Sequence, residues 1–240
     1  MDQTPAHTAS TQASSASVEP GTLAANLASV EERILNAVAR CGRTRGEIRL
    51  MAVTKVFPAQ AILDAYALGL RDFGENYVQE FEGKHGAVAH LEGARFHFIG
   101  HLQSNKSRRA AEIFHTIQTV DSAKLARRLN EPGSPLDVMI EVKLSPEQSK
   151  AGAAPEELPA LIEAIAQCPN LTLLGLMTMP PWDENPEAAR PYFRELKQLA
   201  DAHSLKHLSM GMSHDFEAAI EEGSTLIRVG TALFGRRVKK

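Results

Sequence analysis

Eight short apolar runs, each followed by a stretch with helical periodicity, constrain this 240-residue chain more than any other feature. The runs fall at 48–54, 72–76, 95–100, 114–120, 136–144, 171–179, 206–211 and 225–230. The intervening segments read as helices at 58–70, about 77–90, from Ser104, from Asp121 to Asn130, at 155–167, 186–203 and 214–223. Ser104 and Asp121 are expected to cap their helices, Pro191 to kink its helix near the start, and Gly223 to end the last. One more helix precedes the first strand, because Leu23, Leu27, Val30, Ile34 and Val38 recur at three and four residues. Strict alternation of this kind predicts an α/β protein with a parallel sheet wrapped by helices, and eight strands close a TIM-type (β/α)8 barrel. An open doubly wound sheet is the runner-up. It lacks its dinucleotide fingerprint here, and no phosphate-binding G-x-x-x-x-G-K-[ST] run supports nucleotide hydrolysis.

Composition narrows the setting. A hydrophobic content of 43% is enough for one large core, and a net charge of −3 gives no general attraction to nucleic acid or anionic membranes. No apolar run is long enough to cross a bilayer. Cys41 and Cys168 have neither metal-ligand spacing nor a disulfide framework, which points to reduced thiols, no metal and a cytoplasmic location. Residues 1–20 are rich in Ser, Thr, Ala and Gln and are expected to form a disordered polar tail. The first basic residue is Arg33, so this segment reads as a tail and not as a targeting address. The barrel is expected to fill 21–240, since only TALFGRRVKK follows the eighth strand.

Three features carry the chemistry. In LMAVTKVF, alternation puts Met51, Val53 and Lys55 on one face and Leu50, Ala52 and Thr54 on the other, and Phe57-Pro58 ends the strand. Lys55 thus stands at the carboxyl end of a buried strand, where such barrels keep their chemistry; a solvated surface lysine is the plain alternative. The loops after strands seven and eight, SMGMS and VGT, offer Gly211 and Gly230 for close backbone approach and Ser209, Ser213 and Thr231 as hydroxyl donors, which suits a phosphate. Some of these are turn glycines and caps in any case, and Ser213 reads as an N-cap with Asp215 or Glu217 in the first turn. On strand eight, Ile227 and Val229 point outward, which turns Leu226, Arg228 and Gly230 into the barrel. A guanidinium there is costly unless paired or used, and a structural ion pair with a strand-five carboxylate would also account for it. On strand five, Asp137, Met139, Glu141 and Lys143 share one face. A phosphorylated aldehyde would use all three features: in pyridoxal 5′-phosphate (PLP) the aldehyde condenses with a lysine, the phosphate needs donors, and the ring nitrogen needs a partner. Lys55 must be neutral to condense, and burial beside Met51 and Val53 with Arg228 nearby would favour that form.

The segments AVTKVF, FGENYVQE, HFIGHLQSNK, GLMTMPP, LSMGMSHDFEAAIEEGST and IRVGTALFG resemble, in order and spacing, the motifs of the pyridoxal phosphate homeostasis proteins. These are single-domain relatives of the barrel half of alanine racemase, the fold type III group of PLP proteins. The resemblance spans about residues 24 to 237. It implies a covalent aldimine between PLP and Lys55, a phosphate near Ser209, Gly230 and Thr231, Arg228 facing the pyridine nitrogen, and Asn76 in the pocket. Lys143 departs from the group, which usually has asparagine at that position, and would add a second cation if it faces inward.

The inward arginine bears on turnover. A ring nitrogen facing a permanently protonated guanidinium stays unprotonated, which weakens the electron sink that carbanion chemistry needs. The expectation is therefore a carrier that buffers PLP in the cell, with no catalytic residue of its own and apo-enzymes that use PLP as transient recipients. The alternative is a PLP-dependent amino-acid racemase with His97, His101 or Tyr77 as a second base; a cofactor-free aldolase using Lys55 ranks below both. No evident apolar strip covers the exterior, so a monomer or weak dimer is expected.

Overall fold

The first strand, β1 (Arg49–Val53), is buried on both faces, and the side each residue takes decides its neighbours. In the computed structural model, which describes residues 21–145 and 151–235, Leu50 and Ala52 join the large core between sheet and helices. Met51 and Val53 meet Ile99 and Leu226 inside the sheet. The alternation of side chains in a strand produces both sets from five consecutive residues.

From there the chain repeats one unit. After α1 (Leu23–Arg40) and β1 come α2 (Ala59–Ala67), β2 (Asp72–Glu75), α3 (Val78–Val88), β3 (Arg95–Phe98), α4 (Ser107–Ile113) and β4 (Thr116–Val120). Next are α5 (Ala123–Asn130), β5 (Leu136–Glu141), α6 (Leu158–Ala166), β6 (Leu171–Met177) and α7 (Arg190–Ala202). The chain finishes with β7 (His207–Met212), α8 (Phe216–Glu221), β8 (Leu226–Val229) and a short α9 (Thr231–Phe234). Every neighbouring pair of strands is parallel, and β8 returns to β1 with Met51 opposite Arg228, closing the barrel. The expected eight-stranded barrel is the observed one. Among the described residues no helix is long and apolar enough to cross a membrane.

Local readings at helix starts need correction. Ser104 does not cap α4: it opens a 3-10 turn, Ser104–Lys106, and its carbonyl accepts from the Ser107 hydroxyl at 2.8 Å. Ser122, not Asp121, caps α5, accepting from the Leu125 amide at 3.3 Å. Pro191 causes no kink, because it lies in the first turn of α7, where a missing N–H costs nothing; a separate 3-10 turn, Pro186–Ala189, precedes it. Strands five and six end at Glu141 and Met177, earlier than expected, although Val142 and Thr178 beyond them stay buried and the Val142 amide donates to the Met177 carbonyl at 2.8 Å. The proposed tail, 1–20, lies outside the described residues.

Glycine is required at more than one point of the sheet: at Gly175 in β6 a Cβ would fall 1.8 Å from the His207 carbonyl oxygen, and Gly211 is the second case. Gly211, in β7, has φ +90°, and a Cβ there would come within 2.5 Å of the Ala219 side chain and 2.9 Å of Phe216 Cα. The ladder between β7 and β8 slips at this bulge, which lets α8 press against the sheet.

Candidate functional site

At the carboxyl ends of the strands lies a cavity of about 280 Å3. Lys55, Asn76, Ser213, Arg228, Gly230 and Thr231 all open onto it, with Val53, Phe57 and Ile99 supplying apolar wall. Six of the eight expected site residues therefore meet in one place, Arg228 on β8 and the others just past the ends of β1, β2, β7 and β8. The other two do not line it. Ser209 is fully buried beneath Arg228, and the bare Cα of Gly211 faces α8 instead.

Lys55 owes its place to the backbone on either side of it. The Thr54 hydroxyl donates to Glu75 Oε1 at 2.7 Å, and Lys84 Nζ donates to the Thr54 carbonyl at 3.0 Å and to Glu75 at 2.9 Å. The Val56 amide donates to Glu80, which also pairs with Lys84, each at 2.5 Å. Val56 pays for this geometry with φ 64°, a left-handed conformation that a β-branched residue rarely adopts. Burial pushes the Glu75 carboxyl above its usual range, against the pull of the Lys84 ammonium. The ion cluster behind the turn fixes where the lysine side chain starts.

Arg228 is seated by its head. Nη1 donates to the Ser209 carbonyl at 2.7 Å and to the Ser209 hydroxyl at 2.8 Å, and Nη2 donates to the Thr178 carbonyl at 2.8 Å. The guanidinium is 3% exposed, and burial lowers its pKa to about 10, against the pull of Asp215 and Glu141. It therefore stays charged at neutral pH. Glu141 is pushed up by burial to about 7, with Arg228 opposing and Asp121 adding to the rise. Glu141 faces inward on β5 as the alternation predicts; Lys143 lines an adjoining cavity with it and not the main one.

Ser213 corrects a third cap assignment. Its Oγ accepts from the Gly230 amide at 3.1 Å and the Ala232 amide at 3.2 Å, tying the loop after β7 to the start of α9. Asp215 takes the cap position of α8, and its Oδ1 accepts from the Met212 amide at 2.6 Å. With both lone pairs of Ser213 engaged, its own hydrogen is left to donate into the cavity.

The fit to PLP can be tested on this protein's own atoms. Asn76 Oδ1 is buried and has no hydrogen-bond partner among the described residues, so the cavity presents an acceptor that a ligand donor would satisfy. Three N–H bonds of Arg228 are spent on the protein, leaving Nε–H and one Nη2–H of its five. An amine, an unsatisfied amide, a cation and hydroxyl donors around one hydrophobic cavity match an aldehyde-bearing, phosphorylated aromatic ring.

Other lining residues escaped the sequence reading. Trp182 is 72% exposed at the rim and stacks on His214 with ring centres 6.2 Å apart; Asp215 and Met179 also line the cavity. The lone Trp of a Pro-rich stretch, MPPWDENP, following a strand was the available signal. The histidines considered as a second base stand elsewhere. His97 is buried in the lower barrel, bonded to Asp72 and Gln118 on either side, and His101 lines the adjoining cavity.

Comparison with known proteins identifies the family and the fold. Residues 25–238 match the family model described as alanine racemase, N-terminal domain. The chain is 49% identical over 222 residues to a pyridoxal phosphate homeostasis protein of Pseudomonas aeruginosa, covering 90% of this chain and 96% of that one. It is 45% identical to the protein of that name in Escherichia coli, covering 90% and 97%. Among solved structures, PipY of Synechococcus elongatus with PLP bound superposes with a TM-score of 0.77 at 37% identity, covering 89% of this chain and all of that one. An alanine racemase of Clostridium difficile shares the fold, with a TM-score of 0.69 at 15% identity, covering 92% of this chain and 58% of that one. A barrel with its lysine, amide and arginine round one mouth, matched over nearly its whole length, belongs to the pyridoxal phosphate homeostasis protein family, built on the alanine racemase N-terminal domain.

Proposed function

We propose that the chain binds PLP at the carboxyl-terminal mouth, holds it as a Schiff base on Lys55, and carries and buffers the cofactor in the cytoplasm without efficient turnover of amino acids. The observation that carries this reading is the convergence of Lys55, Asn76, Arg228, Ser213, Gly230 and Thr231 on one cavity. The names of the relatives and PLP in the PipY structure support it.

Each residue has a stated part. The Lys55 amine would hold the cofactor by its aldehyde, one C=N bond forming as one water is released. The Ser213 hydroxyl, with the Thr231 hydroxyl and the backbone at Gly230, faces the phosphate. Arg228 would face the ring nitrogen with its remaining N–H groups, and as a permanent donor it would keep a proton off that nitrogen. Asn76 accepts from the ligand at the Lys55 end. Ser209, assigned to the phosphate from sequence, takes the part of a support for Arg228. Apo-enzymes that use PLP are the proposed recipients.

The test is borohydride reduction of the purified, PLP-loaded protein followed by peptide mass spectrometry. A pyridoxyl mass on the Lys55 peptide is expected, together with loss of that mass and of the visible absorption band in Lys55→Ala. Absence of the adduct in the unaltered protein overturns the covalent reading. Incubation with L-alanine, followed by chiral chromatography, is expected to show no racemisation at ordinary enzyme rates.

A further inference from the structure

Below the cavity, a line of hydrogen bonds runs from Arg228 and Ser209 across the barrel interior to residues the proposed function leaves unassigned. Arg228 Nη1 donates to Ser209 Oγ at 2.8 Å, Ser209 Oγ donates to Gln118 Oε1 at 2.6 Å, and Gln118 Nε2 donates to His97 Nδ1 at 3.1 Å. His97 Nε2 then meets Asp72 Oδ1 at 2.8 Å, and Asp72 is held by Arg49, with Nε 3.2 Å from Oδ2. Gln118 and Ser209 are fully buried and His97 is 1% exposed, so the middle of this line is shielded from bulk solvent.

Its polarity is forced from one end. Asp72 is a carboxylate because the His97 N–H and the Arg49 guanidinium outweigh the upward push of burial. A carboxylate only accepts, so His97 Nε2 must carry a hydrogen. Burial, and the nearby Arg49 and Arg95 charges, outweigh Asp72 and keep the imidazole neutral, so Nδ1 must be the acceptor. An acceptor at Nδ1 orients the Gln118 amide with its NH2 toward His97 and its oxygen toward Ser209. That oxygen draws the Ser209 hydrogen away from Arg228 and leaves a lone pair facing the guanidinium. Were the amide reversed, its oxygen would face the Nδ1 lone pair of His97, and Ser209, accepting from both Gln118 and Arg228, would lose the acceptor for its own hydrogen.

We propose that Gln118 and His97 are positioning residues: through a one-way hydrogen-bond relay anchored by Asp72 and Arg49 at the opposite end of the barrel, they fix the Ser209 lone pair and so the orientation of Arg228 toward the cavity. The effect on the cofactor rests on the reading that Arg228 faces the PLP ring; the relay itself does not.

Two measurements separate these. In protein labelled with 15N-histidine, with His97 assigned through a His97→Gln control, the relay requires the neutral Nε2–H tautomer at neutral pH. An Nδ1–H tautomer or an imidazolium at His97 overturns it, with or without PLP. The second measurement compares Gln118→Leu and Gln118→Glu in the PLP-loaded protein. Glutamate still accepts from Ser209, whereas leucine cannot. The relay therefore predicts that Gln118→Leu shifts the visible absorption maximum and speeds PLP release about tenfold, the worth of one hydrogen bond to a charged group. Gln118→Glu is predicted to keep the unaltered spectrum and to convert His97 to the doubly protonated form. Packing alone predicts the reverse order, since leucine is apolar and glutamate buries a charge. A normal spectrum in Gln118→Leu overturns the positioning role. Failure of the unaltered protein to take up PLP would sink the cofactor reading and leave the relay to be judged by the tautomer.

Discussion

The two basic side chains of the mouth, Lys55 and Arg228, rest on different supports. Lys55 stands on a fixed backbone: Thr54 and Val56 are gripped by Glu75, Lys84 and Glu80, while the side chain reaches into the cavity. Arg228 is fixed at its far end, where Ser209 and Thr178 hold the guanidinium itself. The difference suits the proposed function, in which Lys55 bonds the cofactor and Arg228 faces its ring. A nucleophile that forms and breaks a bond needs precision at its root. A charge that sets the electrostatics of a ring needs precision at its head, because interaction energy changes steeply with distance at short range. The counterions differ in the same sense. Lys84 and Glu75 are in direct contact, whereas Glu141 and Asp215 act on Arg228 across space, with carbonyls and a hydroxyl as its contact partners.

The strongest way to break this contrast is to remove the grip beneath Lys55. Lys84→Met leaves Glu75, which is fully buried, without its cation, and breaking a buried pair from one side costs about 3–5 kcal/mol. The urea midpoint is expected to fall accordingly, and a pyridoxyl adduct at Lys55 to form more slowly. Glu75→Gln combined with Lys84→Met is expected to recover much of the stability, because no lone charge remains buried. Recovery of stability without recovery of the adduct rate would show that the cluster is there to place Lys55. If Lys84→Met leaves the midpoint unchanged, the cluster is not the root of the turn.

The Arg228 side is probed by pH. Glu141 has a folded pKa of about 7 against an ordinary value of 4.5. An acid with a raised folded pKa binds its proton more tightly in the folded state. Its contribution is present below the ordinary value and is lost as pH rises from about 4.5 to about 7. The loss amounts to something on the order of 3 kcal/mol. Glu141→Gln should remove this slope, giving a flatter stability curve across that window by thermal melting. A slope of unchanged size in the variant would place its origin elsewhere in the barrel.

How much of this was legible in the sequence depends on the range of the interaction involved. Alternation fixed the inward faces of β1, β5 and β8, because side-chain direction in a strand is a local property. It placed Met51, Val53, Glu141 and Arg228 on the sides they occupy. Cap assignments at Ser104, Asp121 and Ser213 failed for a different reason. Each residue has the chemistry of a cap, but which of several adjacent polar residues is used depends on packing across the barrel. Ser213 is claimed by amides of Gly230 and Ala232, 17 and 19 residues away. The same limit hid Gln118: a glutamine in the middle of HTIQTV shows that something polar lies inside, but not that His97 and Ser209 flank it. Gly211 illustrates the third case. Its freedom was read correctly as a close approach, but the partner is α8 and not a ligand.

The smallest expected effect sharpens the comparison at the root of Lys55. Val56 holds φ 64° with its side chain 50% exposed, so it gains little burial in return for a strained backbone. Glycine relieves the strain, which is worth about 1–2 kcal/mol for a residue in the left-handed region, but gives back roughly 0.5–1 kcal/mol as extra freedom of the unfolded chain. Val56→Gly is thus expected to raise stability by less than about 1 kcal/mol, read as a small increase in the urea midpoint with unchanged slope. The Val56 amide would still reach Glu80, but the turn would no longer be confined to one conformation by the branched side chain. If rigidity at the root matters, the variant should be slightly more stable and slower to form the Lys55 adduct. Equal adduct rates would mean that the hydrogen bonds to Glu75, Lys84 and Glu80 are sufficient to place the lysine without the strained residue.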